Sequence, residues 1–195
     1  QSIDGYFAHT PGLKVAYPSN ASDAKGLLKY ACRCDDPVLF LEHKGIYRQG
    51  FASSLEPDEN YLLPFGKAKI VQEGNDLTIV TWGAIVQKSI EAARNTGKSI
   101  EIIDIRTLNP LDIETILDSI KKTNRVIVAH EDHLTAGFGS EIAAQISDEG
   151  FEFLDAPVKR VASKDVHIAY SPNLENEILV QTSWIEKEIE DITNY

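Results

Sequence analysis

Methionine is absent from the 195 residues, and cysteine occurs only as Cys32 and Cys34. Two cysteines one residue apart are poorly spaced for a bridge and give at most half a metal site. A disulfide scaffold and a cysteine-bound zinc centre are therefore not expected, and both thiols read as reduced. Basic residues are scarce: 19 Lys and Arg stand against 30 Asp and Glu, a net charge of -11. That sign disfavours nucleic acid and anionic membranes as partners, and suits a basic protein partner. No apolar run approaches the roughly 20 residues a membrane-spanning helix needs, and the N-terminus does not read as a secretory signal. No G-x-S-x-G elbow, Walker loop, metal-ligand array, internal repeat or low-complexity stretch is present. The chain starts Gln-Ser in mid-pattern, which suggests a portion of a longer protein.

What is present is the composition of a soluble globular domain, 43% hydrophobic and 25% charged, long enough to bury a core without staples. Residues 1 to about 50 read as helix (Ile3–His9), strand (Leu13–Tyr17), helix (Ser22–Cys32, with Ser19 or Asn20 as its cap) and a buried strand (Val38–Leu41). Residues 43–66 mix Gly, Pro, Ser and charge without a period and read as an extended linker. From Lys67 the pattern is regular. Strands are expected near 68–72, 77–82, 100–105, 125–129 and 158–162. Helices are expected over 83–95, from Asp112 to Lys122, over 141–149 and from Leu174 to Ile192. Strands alternating with amphipathic helices imply an α/β fold with a mostly parallel sheet flanked by helices.

Four stretches carry candidate chemistry. His9 ends the first helix, and histidine is enriched at active sites. Arg106 follows a strand, where open α/β sheets place their sites; it is free to clamp a carboxylate or phosphate. The favoured role is structural, pairing with Asp104, Asp112 or a partner subunit, because no second basic residue sits beside it. His130, Glu131, Asp132 and His133 bunch before Gly137-Phe138-Gly139, yet the glycines do not continue as G-x-G-x-x-G. A turn that caps a helix is the simpler reading than a dinucleotide or zinc site. The last helix ends beside Tyr195, an aromatic next to a free carboxylate.

Taken in order, the stretches QSIDGYFAHTPGLKVAYPSNASDAKGLL, DDPVLFLEHKGIYR, LPFGKAKIVQEGNDLTIVTWGA, IEIIDIRTLNPLD, HEDHLTAGFGSEIAA and LDAPVKRVASKDV resemble the beta chain of the decarboxylating component of 2-oxoacid dehydrogenases, of the pyruvate and branched-chain type. The resemblance covers nearly the whole chain. It implies the tail of a pyrimidine-binding domain over residues 1–50, a linker over 51–66 and a transketolase C-terminal-like domain over 67–195. It implies thiamine diphosphate with magnesium, held mostly by an alpha chain and by residues outside this segment. The glutamate that activates the aminopyrimidine and the catalytic histidine are expected upstream of Gln1, so no catalytic or cofactor-binding residue is assigned here.

The resemblance further implies potassium on the main-chain carbonyls of Ala31, Cys34 and Asp36. Expected partners are an alpha chain or alpha half, a second beta chain, and the basic subunit-binding domain of a lipoyl acyltransferase, docked through Asp165 and Tyr195. The location implied is cytoplasm, or the mitochondrial matrix in a eukaryote. Branched-chain 2-oxoacids are favoured as substrate, then pyruvate. Two alternatives stay open: a non-catalytic assembly and docking module, and another transketolase-type enzyme such as transketolase or deoxyxylulose phosphate synthase.

Overall fold

In the computed structural model, which describes residues 2–195, the chain opens with helix α1 (Asp4–Ala8), strand β1 (Lys14–Ala16), helix α2 (Ala21–Ala31) and strand β2 (Val38–Phe40). Asn20 caps α2 by accepting the Asp23 backbone N–H at 3.0 Å, which satisfies one donor the helix start would otherwise leave bare. The strand expected over Val38–Leu41 forms, but it is half-buried. It is the edge strand of a three-stranded sheet with β1 at the centre, so only one side has a neighbour. Strand β6 (Thr107–Asn109) falls where the sequence runs into a turn, and it pairs antiparallel with β1.

Residues 43–66 contain two single 3-10 turns, Lys44–Ile46 and Gly50–Ala52. Their far end is anchored: Leu63 and Phe65 pack on Leu27 of α2 and Ala16 of β1. The linker is thus packed along a surface at this end.

The larger sheet runs β3–β5–β4–β7–β8, from β3 (Lys69–Gln72), β4 (Leu77–Thr81), β5 (Ile100–Asp104), β7 (Val126–His133) and β8 (Lys159–Ser163). Four strands are parallel, and only β3, at the edge, is antiparallel. The expected fold class is the observed one. Alternation along β4 sorts the two faces. Leu77 and Ile79 face α3 (Ile85–Thr96) and α7 (Thr182–Thr193), meeting Ile85, Ile185, Ile189 and Ile192. Thr78 and Val80 face α4 (Ile113–Thr123) and α5 (Phe138–Gly150). Asp112 caps α4 through the Thr115 N–H, as its position predicts, and Gly97 ends α3 at φ 65°, a left-handed conformation that costs glycine least.

Three boundaries differ from the sequence reading. The helix expected over 174–192 is broken into α6 (Pro172–Asn176) and α7. Ile178, Leu179 and Val180 place three apolar side chains in succession, which one helix stripe cannot bury together. The chain instead turns, sends Val180 fully into the core and restarts at Thr182. Strand β7 runs on past the expected end at Ala129 to His133, so the His130–His133 group forms the end of the strand itself, and α5 starts earlier, at Phe138.

Candidate functional site

The parallel strands of both sheets end on one side of the molecule. There they deliver Tyr17 after β1, His43 after β2, Trp82 after β4, Arg106 after β5, residues 130–133 on β7 and Asp165 after β8. This is the edge at which open α/β sheets form binding crevices. A cleft of about 840 Å³ opens between α1 and the β7–α5 connection, lined by His9, Asp132, His133, Asp165 and His167 among others. A second, of about 580 Å³, lies between β2, β7 and α3, with Tyr17, His43, Lys88 and Glu131 in its wall.

His130 is fully buried, stacked on Trp82 with ring centroids 5.2 Å apart and planes 3° apart. Neither ring nitrogen has a protein partner among the described residues. Burial drives its pKa down to about 4, against the pull of Asp132, so the ring is neutral near pH 7. The stack also explains the glycines. A methyl on Gly139 would stand 2.3 Å from His130 Nε2; one on Gly137 would first meet the His133 carbonyl oxygen at 2.2 Å and then His130 Cε1 at 2.8 Å. Gly137-Phe138-Gly139 makes room for an imidazole under the first turn of α5.

The sequence-level candidates separate here. Arg106 is 8% exposed and gives Asp23 a bidentate clamp, Nε at 2.9 Å and Nη2 at 2.8 Å. Its role is structural as expected, but the partner is neither Asp104 nor Asp112: Asp104 accepts instead from Ser19 Oγ and the Arg106 backbone N–H. The Asp23 carboxylate lies on α2, 83 residues away, a distance at which sequence carries no pairing signal. His9 lines the larger cleft. His133 contacts Asp132, Nδ1 to Oδ1 at 3.5 Å, and Val166 O at 3.3 Å. Among the described residues no three His, Cys, Asp or Glu side chains converge on a metal position.

Asp165 sits at the rim, held by the Thr135 N–H at 2.9 Å and hydroxyl at 2.7 Å, which keep its pKa below the usual carboxylate range. Tyr195 lies in a different cleft of about 710 Å³ beside Arg160. Arg160, which lines that cleft, donates from Nη1 to the Leu134 carbonyl at 2.8 Å. At the end of α2 the Ala31 carbonyl accepts the Cys34 N–H at 3.1 Å. Lys14 donates to Cys34 Sγ at 3.3 Å and pairs with Asp36 at 2.8 Å.

Sequence reasoning passed over two groups. His43 Nε2 meets Glu131 at 3.0 and 3.2 Å, while its Nδ1 accepts the Gly45 N–H. Burial opposes ionisation of Glu131, yet the His43 contact holds its pKa below the ordinary value. Asp4 is fully buried and accepts from Trp82 Nε1 at 2.6 Å. Its pKa is raised to about 7, first by burial and next by the carboxyl group of Asp132. An acid inside an otherwise apolar helix was the one available signal.

These features define an α/β domain with its crevices at the strand ends. Residues 66–185 match the transketolase C-terminal domain and residues 2–49 match the transketolase pyrimidine-binding domain. The chain belongs to the transketolase C-terminal domain family. It is 42% identical over 99% of its length to the mitochondrial pyruvate dehydrogenase E1 component subunit beta of Dictyostelium discoideum, covering 55% of that protein. It is 40% identical over its whole length to the 2-oxoisovalerate dehydrogenase subunit beta of Bacillus subtilis, covering 60% of it. The chain spans little more than half the length of the curated relatives it matches. A split-gene transketolase, solved as an inactive beta4 tetramer, superposes with a TM-score of 0.79 over 98% of this chain and 61% of its own, at 24% identity, a likeness of fold.

Such a family implies thiamine diphosphate with magnesium; among the described residues no cluster of metal-ligating side chains converges to hold that metal, and none is assigned.

Proposed function

We propose that the chain is the C-terminal part of the beta subunit of a thiamine-diphosphate-dependent 2-oxoacid dehydrogenase. The whole enzyme decarboxylates a 2-oxoacid and passes the acyl group to a lipoyl arm. The observation that carries the reading is 40–42% identity, over 99–100% of the chain, to beta subunits with both pyruvate and 2-oxoisovalerate in their names. Identity does not separate the two substrates. We keep the branched-chain acid first and pyruvate second, and the test compares them.

On this reading residues 1–50 end a pyrimidine-binding domain, 51–66 link, and 67–195 form the transketolase C-terminal domain. The segment serves assembly with an alpha chain and a second beta chain, and docking of a basic acyltransferase domain at Asp165 and Tyr195. The net charge of -11 supports a basic partner. No described helix is long and apolar enough to cross a membrane, compatible with a complex in cytoplasm or mitochondrial matrix. Potassium on the Ala31, Cys34 and Asp36 carbonyls belongs to the same reading, and there Lys14 already supplies one positive charge to the neighbouring side chains.

Co-expression of the intact gene product with its alpha chain tests the enzyme. Decarboxylation of either 2-oxoacid that depends on added thiamine diphosphate supports it. Docking is tested by calorimetry with the acyltransferase: Asp165→Ala combined with a C-terminal extension weakens binding, and unchanged affinity removes that assignment.

A further inference from the structure

Gly5 N–H is shared by two carboxylates. It donates to Asp4 Oδ1 at 2.8 Å, and to Asp132 Oδ2 at 3.2 Å from 127 residues along the chain. Both acids are buried, Asp4 at 0% and Asp132 at 7% exposure. Asp4 Oδ2 is taken by the Trp82 indole and Asp132 Oδ1 by the His133 N–H. Two carboxylates cannot lie together in a dry interior with both ionised. The joint around them is tight: a methyl on Gly5 would stand 2.9 Å from Asp132 Oδ2 and 3.0 Å from the Phe138 nitrogen. Helix α1 therefore meets the β7–α5 connection through this pair, and the same two elements form the walls of the larger cleft.

We propose that Asp4 and Asp132 share one proton and act as a clamp that holds α1 against the β7–α5 connection, and that losing the proton loosens α1 and opens the cleft.

Other titratable groups face the pair from each packed element. Tyr17, from the end of β1, lies near both acids, and His130 and His133 of β7 lie near Asp132; Glu131 stands beyond Tyr17, and Arg160 of β8 beyond His130. His130 is neutral in the working range and cannot offset the pair. Tyr17, held above the usual phenol range chiefly by burial and then by Glu131, stays protonated. Asp4 is raised to about 7, first by burial. Its folded value lies above its unfolded one, so the protonated form stabilises the fold. That contribution is complete in acid and is lost as pH rises through about 7. The clamp is a property of the fold and does not depend on which 2-oxoacid, if any, the enzyme uses.

The test is hydrogen–deuterium exchange of residues 2–10, with Trp82 fluorescence alongside, on the intact gene product assembled with its partner chain, from pH 5.5 to 8.5. After correction for intrinsic exchange, α1 protection in the wild type falls by up to about tenfold per pH unit as pH rises toward the midpoint near 7 and levels off above it. Asp4→Asn removes the charge, at the cost of setting an amide donor against the Gly5 or Trp82 N–H, and its protection, whatever its level, no longer changes with pH. Asp132→Asn, which also leaves one acid and no repulsion, does the same and serves where Asp4→Asn does not fold. Protection that is flat with pH in the wild type overturns the proposal. So does a midpoint that persists in the Asn variants, since it then belongs to a histidine of the cleft.

Discussion

Removing the Arg106 guanidinium leaves the Asp23 carboxylate, 1% exposed, inside the protein without its partner. Arg106→Ala is expected to cost about 3–5 kcal/mol in denaturant unfolding. Arg106→Lys recovers only part of it, since an ammonium cannot reproduce two parallel bonds. Gly139→Ala tests the His130 niche: pushing a methyl toward Nε2 costs about 1–3 kcal/mol, and His130→Ala in that background returns part of the loss. Simple addition of the two costs would mean the close contact is not what requires glycine. Asp104 gives a pH prediction. Fully buried, it is raised to about 6 by burial, partly offset by the Ser19 hydroxyl. Its folded value exceeds its unfolded one, so stability declines as pH rises through about 6. Asp104→Asn shallows the decline measured by unfolding between about pH 4 and about pH 6, and an unchanged slope there counts against it. At this scale residue type was legible and partnership was not. An arginine after a strand could be read as structural, but its partner is set by the fold. His130 looked like one of a reactive cluster, and its stacking on Trp82 depends on two strands meeting side by side.

Helices and strands were legible where a period ran long enough. The run from Leu77 to Thr81, all buried, and the Asp112-capped helix appear in sequence much as they stand. An ordinary lost cap costs about 1 kcal/mol, and Asp112→Ala is expected to cost more than that because the same carboxylate also accepts the Ala68 N–H and the Thr115 hydroxyl; a loss of about 1 kcal/mol or less would contradict this. Elements shorter than their own period were not legible. β6 has three residues, too few to show alternation, and exists because β1 offers it an edge. The break before α7 comes from Val180, whose burial is a property of the core and not of its neighbours.

The whole molecule places strand ends from two sheets on one side, with buried acids, a neutral histidine and two clefts between them. Ordered resemblance along the sequence pointed to the family that residues 66–185 and 2–49 match. Periodicity alone reached only a parallel α/β domain, because the chemistry of such a domain lies in contacts between distant segments. The central claim is that this chain is part of a 2-oxoacid dehydrogenase beta subunit. It is tested most directly by the rate of decarboxylation of 2-oxoisovalerate and of pyruvate by the intact gene product with its alpha chain, with and without thiamine diphosphate. The account predicts turnover of at least one acid that vanishes without the cofactor. No turnover of either acid by a correctly assembled, cofactor-supplied complex would contradict it and leave an assembly module as the better description.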